Sequence, residues 1–231
     1  MAKNKLKKYS EIKTFANTFS EPGAFKGKWH ELYFRNNNGI TLELACGWGE
    51  YTVSLARKYP NRNFIGVDIK GARLWRGAKT ALEEHLNNVA FLRIPIETIE
   101  NVFEKNEVEE IWIPFPDPFS KKSKKNRRLT SGKFIEVYRN ILTNTGLIHF
   151  KTDDPNFFQF TLDVLKQEKC AIHTVIENLH NNNVEDDEIM LKTTYEKKHL
   201  SAGKKIHYLC FSLTGEALRG KTTPGTLSPI E

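Results

Sequence analysis

The sequence predicts an α/β fold: one domain with a mostly parallel seven-stranded sheet and helices on both faces. Three observations point there. From residue 40 onward, short apolar runs alternate with amphipathic stretches, the pattern of a parallel sheet covered by helices. The 231 residues contain no internal repeat and no Ser/Gly linker, so the length suits one sizeable core rather than two. The stretch TLELACGWGEY also runs an apolar strand straight into a glycine turn and then a helix.

Strands are expected near Ile40 to Ala45, Asn63 to Asp68, Ala90 to Ile94, Glu110 to Phe115 and Leu147 to Thr152. Helical periodicity falls between them, over Glu50 to Lys58, Ala72 to Leu86, Ile96 to Phe103, Ser131 to Leu142 and Pro155 to Gln167. In GARLWRGAKTALEEHL, for example, Leu74, Ala78, Ala81, Leu82 and Leu86 share one face, with Arg73, Arg76, Lys79 and Glu83 turned away. Ala171 to Glu177 and KIHYLCFSL complete the seven strands, around the polar connection LHNNNVEDDE. Residues 1–30 are expected as a basic N-terminal extension, 31–213 as the domain and 214–231 as a flexible C-terminal tail.

The formal charge is +7, and Lys121, Lys122, Lys124, Lys125, Arg127 and Arg128 supply six of it. The basicity is therefore local, which suits a polyanion bound over one face, although a solvated basic loop would look the same in sequence. Lys3, Lys5, Lys7 and Lys8 either extend that patch or form a frayed basic tail. No apolar run reaches the roughly eighteen residues of a membrane span. Nor does an apolar segment of the secretory type follow the basic N-terminus, so the cytoplasm is the expected address and no membrane is expected as a partner. Cys46, Cys170 and Cys210 are odd in number and lack Cys-x-x-Cys spacing, and the seven histidines show no ligand spacing; no metal is expected.

Gly47 and Gly49 suit a sharp turn in which the backbone approaches a ligand. Asp68 ends the next strand, nineteen residues after Gly49, where an acid can hold the two hydroxyls of a ribose. A dinucleotide would need a third glycine where Thr52 stands, and Glu50 puts a carboxylate where its pyrophosphate would sit. S-adenosylmethionine, with an ammonium and a sulfonium, fits an acidic rim better. Glu43 inside the preceding strand is either part of that rim or a salt-bridged edge residue.

With this turn, the segment Phe115-Pro116-Asp117-Pro118-Phe119-Ser120-Lys121-Lys122 running on to Arg127-Arg128 resembles the signature of the bacterial tRNA (guanine-N7)-methyltransferases. IHFKTD, ending at Asp153, Thr193-Thr194-Tyr195-Glu196 and FKGKW at 25–29 are similar to further elements of that family. The likeness spans about residues 20 to 213. It implies a Rossmann-like S-adenosylmethionine-dependent methyltransferase fold and methyl transfer to N7 of a tRNA guanosine, with position 46 of the variable loop as the expected target. It also implies cofactor contacts from Glu43, Gly47, Gly49, Asp68, Glu97 and Asp117, with Asp117 between cofactor and base. Lys121, Asp153, Thr193, Tyr195 and Glu196 would line the substrate side, and Ser123, Lys124, Lys125, Asn126, Arg127 and Arg128 would hold RNA. The expected assembly is a monomer or homodimer.

Two departures stand out. Ala45 replaces the first glycine of the turn, which is harmless if its φ stays negative. Pro95-Ile96-Glu97 replaces the usual Asn or Asp followed by Ala near the adenine, leaving Glu97 to supply that contact. On local sequence alone, Thr193 and Glu196 fit a helix N-cap as well as a substrate site.

Guanine N7 has a free lone pair, so its methylation needs no base to remove a proton. Asp117, braced by two prolines, therefore reads as a positioner that accepts from guanine N1–H and the exocyclic amine. Two other readings remain open. One is a methyltransferase acting on an exocyclic amine, although Asp117-Pro118-Phe119 lacks that group's second proline. The other is a non-catalytic RNA-binding protein on the same fold.

Overall fold

In a computed structural model, residues 2–182 and 184–214 are described; the expected C-terminal tail lies outside them from residue 215 on. The chain opens with helix α1 (Ala2–Glu11) and a two-residue strand β1 (Thr18–Phe19). It then alternates: β2 (Ile40–Leu44), α2 (Glu50–Lys58), β3 (Asn63–Val67), α3 (Gly71–Glu83), β4 (Val89–Leu92) and β5 (Val108–Pro114). The second half runs α4 (Gly132–Arg139), β6 (Leu142–Thr152), α5 (Pro155–Gln167), β7 (Ala171–Ile176), α6 (Thr194–Ser201) and β8 (His207–Ser212).

The strands form one sheet in the order β1-β4-β3-β2-β5-β6-β8-β7, parallel except where β8 meets β6 and β7. Every residue of β2, β3 and β4 is buried, as expected for strands covered on both faces. Alternate side chains feed two apolar layers. Leu42, Leu44, Ile65 and Leu92 join Trp29 and Phe34 on one face. Phe64 and Phe91 join Tyr51, Leu74 and Ile12 on the other.

The sheet has eight strands among the described residues, not seven. The additional strand, β1, pairs parallel with β4 at Thr18↔Phe91 and Phe19↔Leu92. It comes from the stretch expected as an extension, and the neighbouring Trp29 is fully buried, its indole N–H donating to Val102 O at 3.0 Å. Basic composition hid this packing because a two-residue strand has no readable period. α1 lies against α3, with Lys8 over the Trp75 ring at 4.6 Å.

Local sequence explains the helix ends that frame the site. Asp154 caps α5, its carboxylate accepting from Asn156 N and Phe157 N at 2.9 Å, and Pro155 takes the first helical position. α2 carries Glu50 in its first turn and Arg57 and Lys58 in its last, both favourable to the helix dipole.

Candidate active site

The strand order reverses between β2 and β5, and both strands run parallel, so their carboxyl ends open on the same edge. Ligands of such sheets bind in that crevice. The glycine turn leaves β2 on one side of it, and the Asp117 loop leaves β5 on the other.

In the turn, Gly47 and Gly49 have φ of 56° and 67°, the left-handed region. A Cβ on Gly49 would lie 2.5 Å from the Phe91 ring, so glycine there lets α2 pack down on the sheet. A Cβ on Gly47 would meet nothing closer than Ala45 O at 4.0 Å, which leaves its face open as a cradle for a ligand. Ala45 itself has φ of 57°, contrary to the negative value expected; the turn holds an L-residue where glycine is easier.

Asp68 is buried at the end of β3 and organises this turn, accepting from Gly47 N at 2.9 Å and from Lys70 N at 2.8 Å. Ile69 next to it is 56% exposed, an apolar surface that sequence reasoning missed and that suits a planar base beside the ribose acid. Glu43 is buried in a central strand, so the edge salt bridge does not form. Its carboxylate accepts from Thr52 N at 2.8 Å and Thr52 Oγ1 at 2.5 Å. Burial pushes its pKa up to about 8, against those hydrogen bonds and with help from the Glu50 and Asp68 charges. A ligand cation nearby would favour its ionised form. The acids and the open glycine face therefore fit S-adenosylmethionine and not a pyrophosphate. Glu97 is exposed in the short helical turn after β4, with Pro95 before it.

Across the crevice, Asp117 is exposed between Pro116 and Pro118. An open cleft of about 740 Å³ lies beside it, lined by Pro116, Pro118, Asp153, Tyr195, Lys204 and His207 among others. Phe115 and Phe119, flanking the Pro-Asp-Pro unit, both have positive φ, 54° and 41°. Tyr195 is 47% exposed, stacks on His199 at 4.1 Å and lies 5.2 Å from Phe115. Asp153 accepts from Lys204 at 2.5 Å, and its carboxylate lies 3.0 Å from His199 Nδ1. Burial opposes its ionisation, but Lys204 and His199 outweigh it and hold the carboxyl below its usual range.

Thr193 and Glu196 do not share that placement. Thr193 caps α6, its hydroxyl accepting from Glu196 N at 3.2 Å. Glu196 is fully buried and pairs with Lys151 Nζ at 2.8 Å and His180 Nε2 at 2.8 Å. Of the two local readings, the cap describes them. Lys151, which sequence reasoning passed over, is also fully buried. Its ammonium donates to Ile189 O, Leu191 O and Glu196, at 3.0, 3.2 and 2.8 Å, so all three donors are used. Glu50 adds a further tie, its carboxylate accepting from Thr194 N at 2.7 Å and Thr194 Oγ1 at 2.6 Å. Helix α2, which follows the glycine turn, is thus bound directly to helix α6.

The basic run forms a single 3-10 turn, Lys122–Arg127, and Lys121 through Arg127 are exposed. Arg128 is the exception. It is 5% exposed and faces the protein rather than solvent.

This sheet, with a glycine turn and an acid at the next strand end facing a second acid across the switch point, defines an S-adenosylmethionine-dependent methyltransferase. Solved structures share the fold. A 16S rRNA methyltransferase, KamB, aligns with TM-score 0.60 over 80% of this chain and 92% of its own, at 13% identity. A geranyl diphosphate C-methyltransferase of Streptomyces coelicolor A3(2), determined with S-adenosyl-L-homocysteine, aligns at TM-score 0.53 over 77% and 74%, at 15% identity. A family model described as "Putative methyltransferase" matches residues 37–209. The chain is 46% identical to a tRNA (guanine-N(7)-)-methyltransferase of Christiangramia forsetii over 221 residues, covering 92% of this chain and 99% of that protein. The chain belongs to the tRNA (guanine-N7)-methyltransferase family.

Proposed function

We infer that this protein transfers a methyl group from S-adenosylmethionine to N7 of a tRNA guanosine, at position 46 of the variable loop. The observation that supports the site assignment is that the Gly47–Gly49 turn and the Asp117 loop leave neighbouring parallel strands, β2 and β5, at the same sheet edge, with a cleft of about 740 Å³ on the Asp117 side. S-adenosylmethionine, when bound, supplies a methyl group on a sulfonium. Asp68 holds the ribose and the open Gly47 backbone admits the chain of the cofactor. Asp117 accepts from N1–H and the exocyclic amine of guanine, a donor pair peculiar to that base, and aligns N7 for in-line attack. As positive charge moves onto the purine, the same carboxylate stabilises it. Tyr195 offers an aromatic face for the base, and the exposed cations Lys121 to Arg127 neutralise backbone phosphates. No residue is asked to remove a proton.

Labelled methyl transfer to unmodified tRNA, compared with tRNA carrying 7-deazaguanosine at position 46, tests this reading. Label is expected in the first RNA alone; equal labelling of both overturns the N7 assignment.

A further inference from the structure

Arg128 ends the run of cations, yet it behaves unlike the others. Its backbone N–H donates to Lys125 O at 3.1 Å, which closes the basic turn. Its side-chain Nε donates to Pro118 O at 2.7 Å, which reaches the residue after Asp117. The guanidinium lies against the rings of Phe160 and Phe157 on α5, at 4.4 and 5.0 Å. Among the described residues it has no carboxylate within ion-pair distance; burial lowers its pKa, opposed by the more distant Asp154 charge. A buried, unpaired guanidinium is a poor space-filler. If only the gap between two phenylalanine rings had to be filled, an unbranched apolar side chain would do so without the desolvation cost. What the guanidinium adds is a directional donor, packed against two rings and aimed at one carbonyl.

That carbonyl belongs to a loop with little else to hold it. Among the described residues, Pro116 to Ser120 make no other hydrogen bond. Pro116 and Pro118 fix two φ angles, so Asp117 moves with them as one piece, and the left-handed Phe115 and Phe119 are joints that persist only where their surroundings impose them. Arg127 adds a softer contact, its guanidinium over Phe119 at 4.8 Å. One residue thus joins, through its backbone and its side chain, the turn that meets RNA and the loop that meets the base.

We infer that Arg128 is a positioning residue for methyl transfer. It couples the basic turn to the Asp117 loop, so that gripping the RNA backbone at Lys122 to Arg127 sets the Asp117 carboxylate. This rests on the function proposed above.

The test uses Arg128→Met and Arg128→Lys in the full chain. Four quantities are read: cofactor affinity by calorimetry, the salt dependence of tRNA binding, the single-turnover rate at saturating tRNA and cofactor, and backbone NMR order parameters at Asp117 and Phe119. Arg128→Met is expected to keep the melting temperature, a cofactor Kd within about twofold and the wild-type salt slope, and to lose roughly ten- to a hundredfold in rate. Backbone order parameters at Asp117 and Phe119 should fall while residues 189–196 stay unchanged. Arg128→Lys, which keeps the charge without the planar fork, should lose rate as well, and it carries the test if the methionine variant does not fold. A salt slope flattened by about 0.7–0.9 with a normal saturated rate makes Arg128 a phosphate contact and overturns the inference. An unchanged rate in both variants overturns it too. If the wild-type protein methylates no tRNA, the proposed function fails by itself. The coupling is then judged by those order parameters: lower values at Asp117 and Phe119 support it, and unchanged values overturn it.

Discussion

On one side of the cleft, the chain from Pro116 to Pro118 runs between two left-handed residues and is held by a single hydrogen bond, from the Arg128 side chain, while Phe115 N at the strand end donates to Lys151 O at 2.8 Å. On the other, the chain from Ile189 to Glu196 is pinned by a buried lysine whose three donors are all taken, and is tied again through Glu50 to Thr194. The first wall carries strain of about 1–2 kcal/mol for each left-handed L-residue. The second would lose several times that if one partner of its ion pair were removed. A saturated wall provides a fixed reference. A strained, sparsely bonded wall takes its position from what it grips, which suits the side that presents Asp117 and meets RNA. The cofactor turn repeats the contrast on a smaller scale, with Ala45 left-handed beside a Glu43 whose partners on Thr52 are in place.

The largest expected effect breaks the fixed wall. Glu196→Ala leaves Lys151 buried without a carboxylate and should cost about 3–5 kcal/mol in chemical denaturation. A loss under about 1 kcal/mol would mean that this wall is not anchored there. Asp117→Ala strikes the sparsely bonded wall instead. Turnover should fall about 10²- to 10³-fold, while cofactor binding and the denaturation midpoint stay near wild type; near-normal turnover removes Asp117 from the centre of the mechanism.

Neutralising Lys124, Lys125 and Arg127 together should weaken tRNA binding and flatten its salt slope by about 0.7–0.9 per cation, sparing the cofactor. An unaltered slope would return the turn to a solvated loop. Glu43 probes the cofactor turn through pH. Its folded pKa, pushed to about 8, lies above the unfolded value, so the native state binds the extra proton. Its contribution is therefore present at low pH and is lost as pH rises from about 4.5 through 8. Glu43→Gln should reduce the loss of stability between pH 5 and pH 9 by more than about 1 kcal/mol, and equal pH profiles would contradict the assigned shift. The smallest effect is Ala45→Gly, expected to raise stability by up to about 1 kcal/mol with cofactor affinity held within twofold. A destabilised variant would show that the left-handed turn costs the alanine nothing.

Much of the fold was legible because its signals are local. Buried parallel strands read as apolar runs, and the glycine turn with Asp68 at the next strand end announced the cofactor side before any contact was known. The Asp117 loop and its basic run were equally plain, since prolines and cations cluster within a few residues. What the sequence left open shares one cause. Arg128 sits in the same run as Arg127, but only the packing of α5 makes it a buried brace. Glu196 looked like a substrate residue, and its partner Lys151 lies 45 positions away.

By itself, the sequence determined the doubly covered sheet, the edge where ligands bind, the acids at two strand ends and the local excess of positive charge. Periodicity, turn chemistry and composition are properties of neighbours in the chain. Only the tertiary structure decided which cations face solvent and which face the protein, that Thr193 and Glu196 turn inward, that the first thirty residues supply a strand, and that Ala45 is left-handed. Each of those depends on a partner distant in sequence, and burial and hydrogen bonding are settled by the whole packed molecule rather than by any stretch of it.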